Sequence, residues 1–212
     1  MSRRLVTVFG GSGFIGRHVI QRLVKQGAQI RVATRDTEAT GYLKPLGEIG
    51  QITPVPTSFS DEETIARALR GADQAINLIG ILFNSRKSSF TKIHVDVAHS
   101  IAKAATNTGV KSLVHVSALG ASANSNSLYA RSKAAGESAV RDAFKDAVIV
   151  RPSAVFGRED NFFNLFASIA SFSPALPVFG CPTIPRVKFF GSTNSLISID
   201  LFGDGGTRIQ PV

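Results

Sequence analysis

The chain has 212 residues, 43% of them hydrophobic, and carries 24 Lys and Arg against 15 Asp and Glu for a net charge of +9, which is enough for one substantial core, or one domain with part of a second. Its single cysteine, Cys181, excludes an intramolecular disulfide and a cysteine-based metal cluster and fits a reducing compartment, and no apolar run approaches the ~20 residues of a spanning helix. The positive charge favours anionic lipid surfaces or phosphorylated ligands, but the basic residues are scattered and do not alternate with aromatic ones as a stacking platform for nucleic acid would require, so no nucleic-acid partner is expected.

Leu5 to Phe9 is a short apolar β-run, and only Met1 to Arg4 precede it, so neither a signal peptide nor a transit peptide is expected. The run feeds directly into VTVFGGSGFIG, with glycines at Gly10, Gly13 and Gly16. A strand entering a helix through such a turn collects unpaired N–H groups and the positive end of the helix dipole at one point, which suits a pyrophosphate. Gly10 allows the tight turn, Gly13 the approach of phosphate, and Gly16 the close packing of helix on strand. Ser12, Phe14 and Ile15 complete the expected contact set at the opening of the helix. The spacing is one residue wider than the G-x-G-x-x-G dinucleotide fingerprint, and a glycine triplet alone is a weak signal; strand before and helix after raise it.

Phe14, Ile15, Val19, Leu23 and Val24 recur at helical spacing, and Gly27 follows as a stop. A strand is predicted over Gln29 to Thr34, ending at the place where dinucleotide folds carry an acidic residue for the adenosine ribose or an Arg for a 2′-phosphate. Arg35 stands there with Asp36 beside it, which favours NADP(H) over NAD(H). Residues 37–50 read as a connection with one helical turn, Gln51 to Pro56 as a third strand, and Ser60 or Asp61 as the cap of a helix ended by Gly71. QAINLIG, Gln74 to Gly80, suits a strand buried on both faces. A helix over Ser89 to Asn107, a strand over Lys111 to Ser117, a helix over Ser127 to Phe144 and a strand over Ala147 to Arg151 complete an alternation that predicts a Rossmann-type, doubly wound parallel α/β sheet. His115 reads as a core residue, and the histidines show no metal-ligand spacing.

Tyr129 and Lys133, in YARSK, are four apart on the fourth of these helices and share a face. An ammonium beside a phenol favours the phenolate, so the pair is expected to lower the tyrosine pKa and serve hydride-coupled proton transfer, with the lysine also reaching a nicotinamide ribose.

With these residues in place, YARSKAAGE, VIVRPSAVFGRED and FFNLFASIA resemble an atypical branch of the short-chain dehydrogenase/reductases, the branch of the NAD(P)H-binding accessory subunit of respiratory complex I and its bacterial epimerase-like relatives. The resemblance runs from about Leu5 to Gly180. It implies bound NADP(H), with Leu78, Asp61, Ser117 and Pro152 joining the cofactor contacts, and a structural role beside complex I subunits or on an anionic membrane surface. It also implies a bacterial cytoplasmic protein, with peripheral attachment to the cytoplasmic face of the inner membrane as the alternative. The active-site hydroxyl of catalytic members aligns with Ala118, leaving Ser117 one position early, and neighbouring strand residues face opposite ways. An asparagine of the preceding helix corresponds to His94, and an acid expected at adenine to Ser58, with Asp61 the second acid of that motif. Tyr129 and Lys133 thus persist as a cofactor clamp in an otherwise eroded reductase site. Other readings kept open are a small-molecule reductase or epimerase and an NADP(H)-sensing regulator.

Residues 1–157 are assigned to the nucleotide-binding domain and 158–212 to an incomplete C-terminal substrate lobe. Val155-Phe156-Gly157 is expected to close over the nicotinamide end, Asp160 to Ala170 to form an apolar helix, and 181–202, with its CPTIP segment, to be an insertion lying on the surface.

Overall fold

Strand β1 (Leu5–Phe9) has water on neither face, and its composition fits that position. Val6 and Val8 point to one side with Ile20, Ile30, Val32, Leu43 and Ile52. Phe9 points to the other, with Ile65, Leu69, Ile101, Leu113 and Val140. Between them Thr7 is fully buried, and its hydroxyl donates to the Ala68 carbonyl at 2.8 Å, as a polar group in such a place must. The computed structural model describes residues 4–85, 89–153 and 155, and in them β1 is the centre of a six-stranded sheet.

The other elements are α1 (Phe14–Lys25), β2 (Gln29–Thr34), a 310 turn (Gly41–Leu46), β3 (Ile52–Pro56), α2 (Glu62–Leu69), β4 (Gln74–Asn77), a π-helical turn (Thr91–Asp96), α3 (Val97–Asn107), β5 (Ser112–Val116), α4 (Leu128–Ala143) and β6 (Val148–Val150). Strand order is β3-β2-β1-β4-β5-β6 and every pairing is parallel. The chain therefore winds outward from β1 in one direction through β2 and β3, and in the other through β4, β5 and β6. The crevice beyond the carboxyl ends of β1 and β4, where the order reverses, is where ligands of open α/β sheets bind.

The predicted doubly wound sheet is thus present, with α2 capped by Asp61, whose Oδ1 accepts from the Glu63 N–H at 2.9 Å, and α4 capped by Ser127. Two elements differ from expectation. β4 stops at Asn77 instead of running to Gly80, because the Asn77 side chain turns the chain out of the sheet: its Oδ1 accepts from the Ile79 N–H at 3.0 Å while its Nδ2 meets His115 Nδ1 at 3.1 Å. The long helix of residues 89–107 begins as a π turn before α3 proper. At that turn α4 comes so close that a Cβ on Gly136 would collide with the His94 carbonyl. The expectations for residues 156–212, including the closing turn, the apolar helix and the insertion at 181–202, lie outside the described residues.

Candidate functional site

The turn after β1 is shaped by glycines that admit no side chain. Gly10 has φ of +76°, a left-handed value, and a Cβ there would stand 3.1 Å from the Leu78 carbonyl carbon. A Cβ on Gly16 would overlap the Gly10 carbonyl oxygen and stand 2.6 Å from Gly11 Cα, so α1 is seated directly on the turn. Gly11, which sequence reasoning passed over, is less tight: a Cβ would meet Ile20 Cδ1 at 2.9 Å, the far end of a side chain that can shift, and not backbone. Gly13 is the N-cap of α1, donates to the Gly10 carbonyl at 3.1 Å, and no side chain caps the helix. No acidic residue occupies its first turn, so the N-terminal dipole is left uncompensated by the helix's own side chains.

Around this turn stand the other candidates. Ser12 is exposed, and its carbonyl accepts from the Tyr42 hydroxyl at 2.7 Å, a contact across 30 residues that no local pattern marks. Phe14 and Ile15 are half-buried, with Phe14 edge-on to His18 at 5.5 Å. Leu78 donates its N–H to the Phe9 carbonyl at 2.9 Å, which keeps the β4 exit against Gly10. Arg35 is exposed at the end of β2. Its neighbour Asp36 is also exposed, and its Oδ1 accepts from the Glu38 and Ala39 N–H groups at 3.0 Å each, so one carboxylate oxygen is held by its own loop while the charge stays at the surface with that of Arg35. Asp61 spends its Oδ1 on capping α2, and Ser58 Oγ pairs with Ser60 Oγ at 3.1 Å.

The second group lies on α4 and its neighbours. Lys133 is 5% exposed, and its Nζ donates to the Val116 carbonyl at 3.3 Å. A Cβ on Gly80 would stand 3.2 Å from this Nζ and 3.8 Å from His94 Nε2, so the loop after β4, the lysine and the histidine converge. Burial pulls the Lys133 pKa down to about 8, against the opposing pull of the Glu137 carboxylate. Lys133 Nζ is 6.0 Å from the Tyr129 ring centroid. The tyrosine pKa is nevertheless raised, by desolvation, which corrects the expectation of a lowered one. At that separation the lysine does not offset the cost of placing a phenolate in a half-buried site.

His94 is the residue sequence reasoning undervalued. Its Nε2 accepts from the Ile81 N–H at 3.1 Å and its Nδ1 lies 2.9 Å from Ser132 Oγ, which itself donates to the Tyr129 carbonyl at 2.7 Å. These roles require a neutral ring with the proton on Nδ1. Burial and the Lys133 charge depress its pKa to about 4, consistent with that form. Phe90 stacks on His94 at 5.3 Å, and both rings meet Tyr129 edge-on, at 5.8 and 5.6 Å. The spacing of Phe90 and His94, four apart, was the available signal. Ser117 is buried and, among the described residues, its Oγ is the buried side-chain oxygen without a hydrogen-bond partner. It faces Glu137 closely enough to help stabilise that carboxylate, though not in regular hydrogen-bond geometry. Ala118 is half-buried and carries no hydroxyl, and Pro152 offers its carbonyl to the Leu119 N–H at 2.9 Å. His115 is a core residue, as expected, with burial depressing its pKa to about 4.

A family model described as NAD(P)H-binding matches residues 10–162. The mouse mitochondrial NADH dehydrogenase [ubiquinone] 1 alpha subcomplex subunit 9 is 40% identical over 165 residues, 77% of this chain and 44% of its own length. The ceramide reductase of Caulobacter vibrioides is 33% identical over 177 residues, 84% of this chain and 54% of its own length. This chain therefore spans about half the length of these relatives. Among solved structures, the Bordetella bronchiseptica enzyme WbmG in complex with NAD has the same fold, with a TM-score of 0.62, 20% identity, and coverage of 80% of this chain and 60% of that one.

Proposed function

The chain belongs to the NAD(P)H-binding family, and from that premise we propose that it holds NADP(H) at the β1–α1 turn as a non-catalytic accessory or assembly subunit of complex I, NADH:ubiquinone oxidoreductase. The observation that carries this is the turn itself: a left-handed Gly10, an N-cap without a side chain, and helix α1 packed where no Cβ fits. Such a surface offers backbone N–H groups and dipole to a diphosphate and little else. On this reading Ser12, Gly13, Phe14, Ile15 and Gly16 hold the diphosphate, Arg35 takes the 2′-phosphate, Asp61 and Leu78 border the adenosine, and Lys133, Tyr129, Ser117 and Pro152 border the nicotinamide half. A nicotinamide in that place would supply hydride chemistry. The protein's own groups serve position more than proton transfer: Tyr129 has its pKa raised, and no hydroxyl stands at Ala118. The resemblance to complex I subunits supports that setting. Among the described residues no helix is long and apolar enough to cross a membrane. On this reading contact with the complex or with an anionic bilayer is peripheral, on the cytoplasmic face of a bacterial inner membrane.

The retained Tyr129 and Lys133 pair, together with the likeness to a ceramide reductase, favours a second reading, an NAD(P)-dependent reductase. Purifying the full-length protein, analysing its bound nucleotide and assaying oxidation of NADPH with aldehydes, ketones and quinones separates the two. The accessory reading expects co-purified NADP(H) and no turnover. Steady turnover that vanishes in Tyr129→Phe would establish the reductase instead.

A further inference from the structure

Glu137 is a carboxylate with 2% exposure, one helical turn beyond Lys133 on the same face of α4. Nothing in the nucleotide reading uses it. A carboxylate this deep is held only when it is paired and hydrogen-bonded, and here the partner is Arg151, just past the end of β6. Arg151 Nε donates to Oε1 at 2.8 Å and Nη2 to Oε2 at 2.6 Å, a two-pronged pairing of the geometrically specific kind. Arg141 adds a looser contact at 3.9 Å from its own helix, and Ser117 faces the same carboxylate from the end of β5. Burial alone would push the Glu137 pKa up, but Arg151 leads the interactions that bring it below the ordinary value, so the group is an anion across the neutral range. Two motifs that stand apart in the chain, YARSKAAGE and VIVRP, are joined by this single ion pair.

We propose that Glu137 is the positioning residue of Lys133: clamped by Arg151 to the end of β6, it fixes the turn of α4 that carries the lysine and supplies the negative charge that balances a buried ammonium. The proposal rests on the reading of Lys133 as a nucleotide contact, because only there does its charge state matter to binding. The charged and titratable groups facing Lys133 are His94 from the π turn, His115 from β5, Tyr129 and Glu137 on α4, and Arg151 behind Glu137. Both histidines titrate near pH 4 and Tyr129 has its pKa raised, so between pH 7 and 9 Lys133 is the group of this set that changes charge. An ammonium attracts the diphosphate and donates to ribose hydroxyls, so nucleotide affinity should fall as pH rises through about 8.

The test is the affinity of the full-length protein for NADPH between pH 7 and 10, with the Lys133 titration followed in parallel by carbon NMR. In Glu137→Gln the alkaline limb and the lysine midpoint should both move down by about one pH unit, the scale expected when a nearby opposite charge is lost. Arg151→Gln leaves the buried Glu137 carboxylate without its main partner and so also costs stability; in the folded variant the lysine midpoint should move up, since a cation is removed and the anion stays. Glu137→Asp should restore the limb. A midpoint that stays in place in both variants, with affinity falling equally at every pH, would show Glu137 to be a packing residue and overturn the proposal. If Glu137→Gln does not fold, the Arg151→Gln shift alone decides. The NMR titration needs no nucleotide, so a protein that binds no NADPH would refute the nucleotide reading while the Lys133 midpoints still judge Glu137.

Discussion

The two ends of the candidate site are built by opposite means. At the β1–α1 turn the site is backbone: glycines at positions where a side chain would collide, and a helix start left uncapped by side chains. At α4 the site is side chains from four elements, with Lys133 reaching the Val116 carbonyl, His94 joining Ile81 to Ser132, and Arg151 reaching Glu137. A backbone site is set by local sequence and tolerates no added atoms. A side-chain site depends on distant partners and on charge, and it responds to pH.

The largest effect expected from breaking this contrast is at Gly16. In Gly16→Val the added carbons overlap the Gly10 carbonyl and Gly11, against backbone that cannot swing aside. A loss of at least about 3 kcal/mol of stability is expected, along with nucleotide binding, as read by chemical denaturation and by titration. The α4 end should instead show itself in acid. His94 and His115 are held neutral with pKa values of about 4 against an ordinary 6.5, so the unfolded state binds more protons between those values. Their contribution is complete above pH 6.5, fades as the pH falls toward 4, and amounts to on the order of 3 kcal/mol for each. Denaturation midpoints measured from pH 7 to 4 should fall accordingly, and His94→Asn should flatten part of the slope.

Smaller changes sharpen the division of labour. Lys133→Ala should weaken NADPH by roughly one to two decades, the scale of a charge-assisted hydrogen bond, whereas Tyr129→Phe should change affinity little; comparable losses in the two would mean that the phenol also binds. Smallest is Tyr42→Phe, which removes the hydroxyl that steadies Ser12. It should weaken NADPH and NADH equally and by less than about tenfold, since the diphosphate is common to both.

The same contrast explains what could be read in the sequence. The strands, the glycine turn and a cap at Ser60 or Asp61, which the structure places at Asp61, followed from local patterns: buried parallel strands leave continuous apolar runs, and glycines mark where Cβ is forbidden. Lys133 and Tyr129 were found because four-residue spacing puts two side chains on one face. The early end of β4 was not legible, because it depends on Asn77 meeting His115 from another strand. Nor was the π turn, which is apposed to Gly136 some forty residues on. The Tyr129 pKa was misjudged for the same reason: spacing gave its neighbour but not its burial. Residues whose role lies in a contact across the fold, such as Tyr42, His94 and Glu137, leave only faint local traces.

The central claim is that the turn and Arg35 together hold NADP(H). It is tested most directly by titrating the nucleotide-stripped, full-length protein with NADPH and NADH, beside Arg35→Ala. With Asp36 engaged in its own loop, the guanidinium should favour NADPH by about 1.5 to 3 kcal/mol, or one to two decades in affinity, and Arg35→Ala should erase most of that difference while leaving NADH binding intact. Equal affinities in the unmutated protein would contradict the assignment to NADP(H), and failure to bind either nucleotide would contradict the site itself.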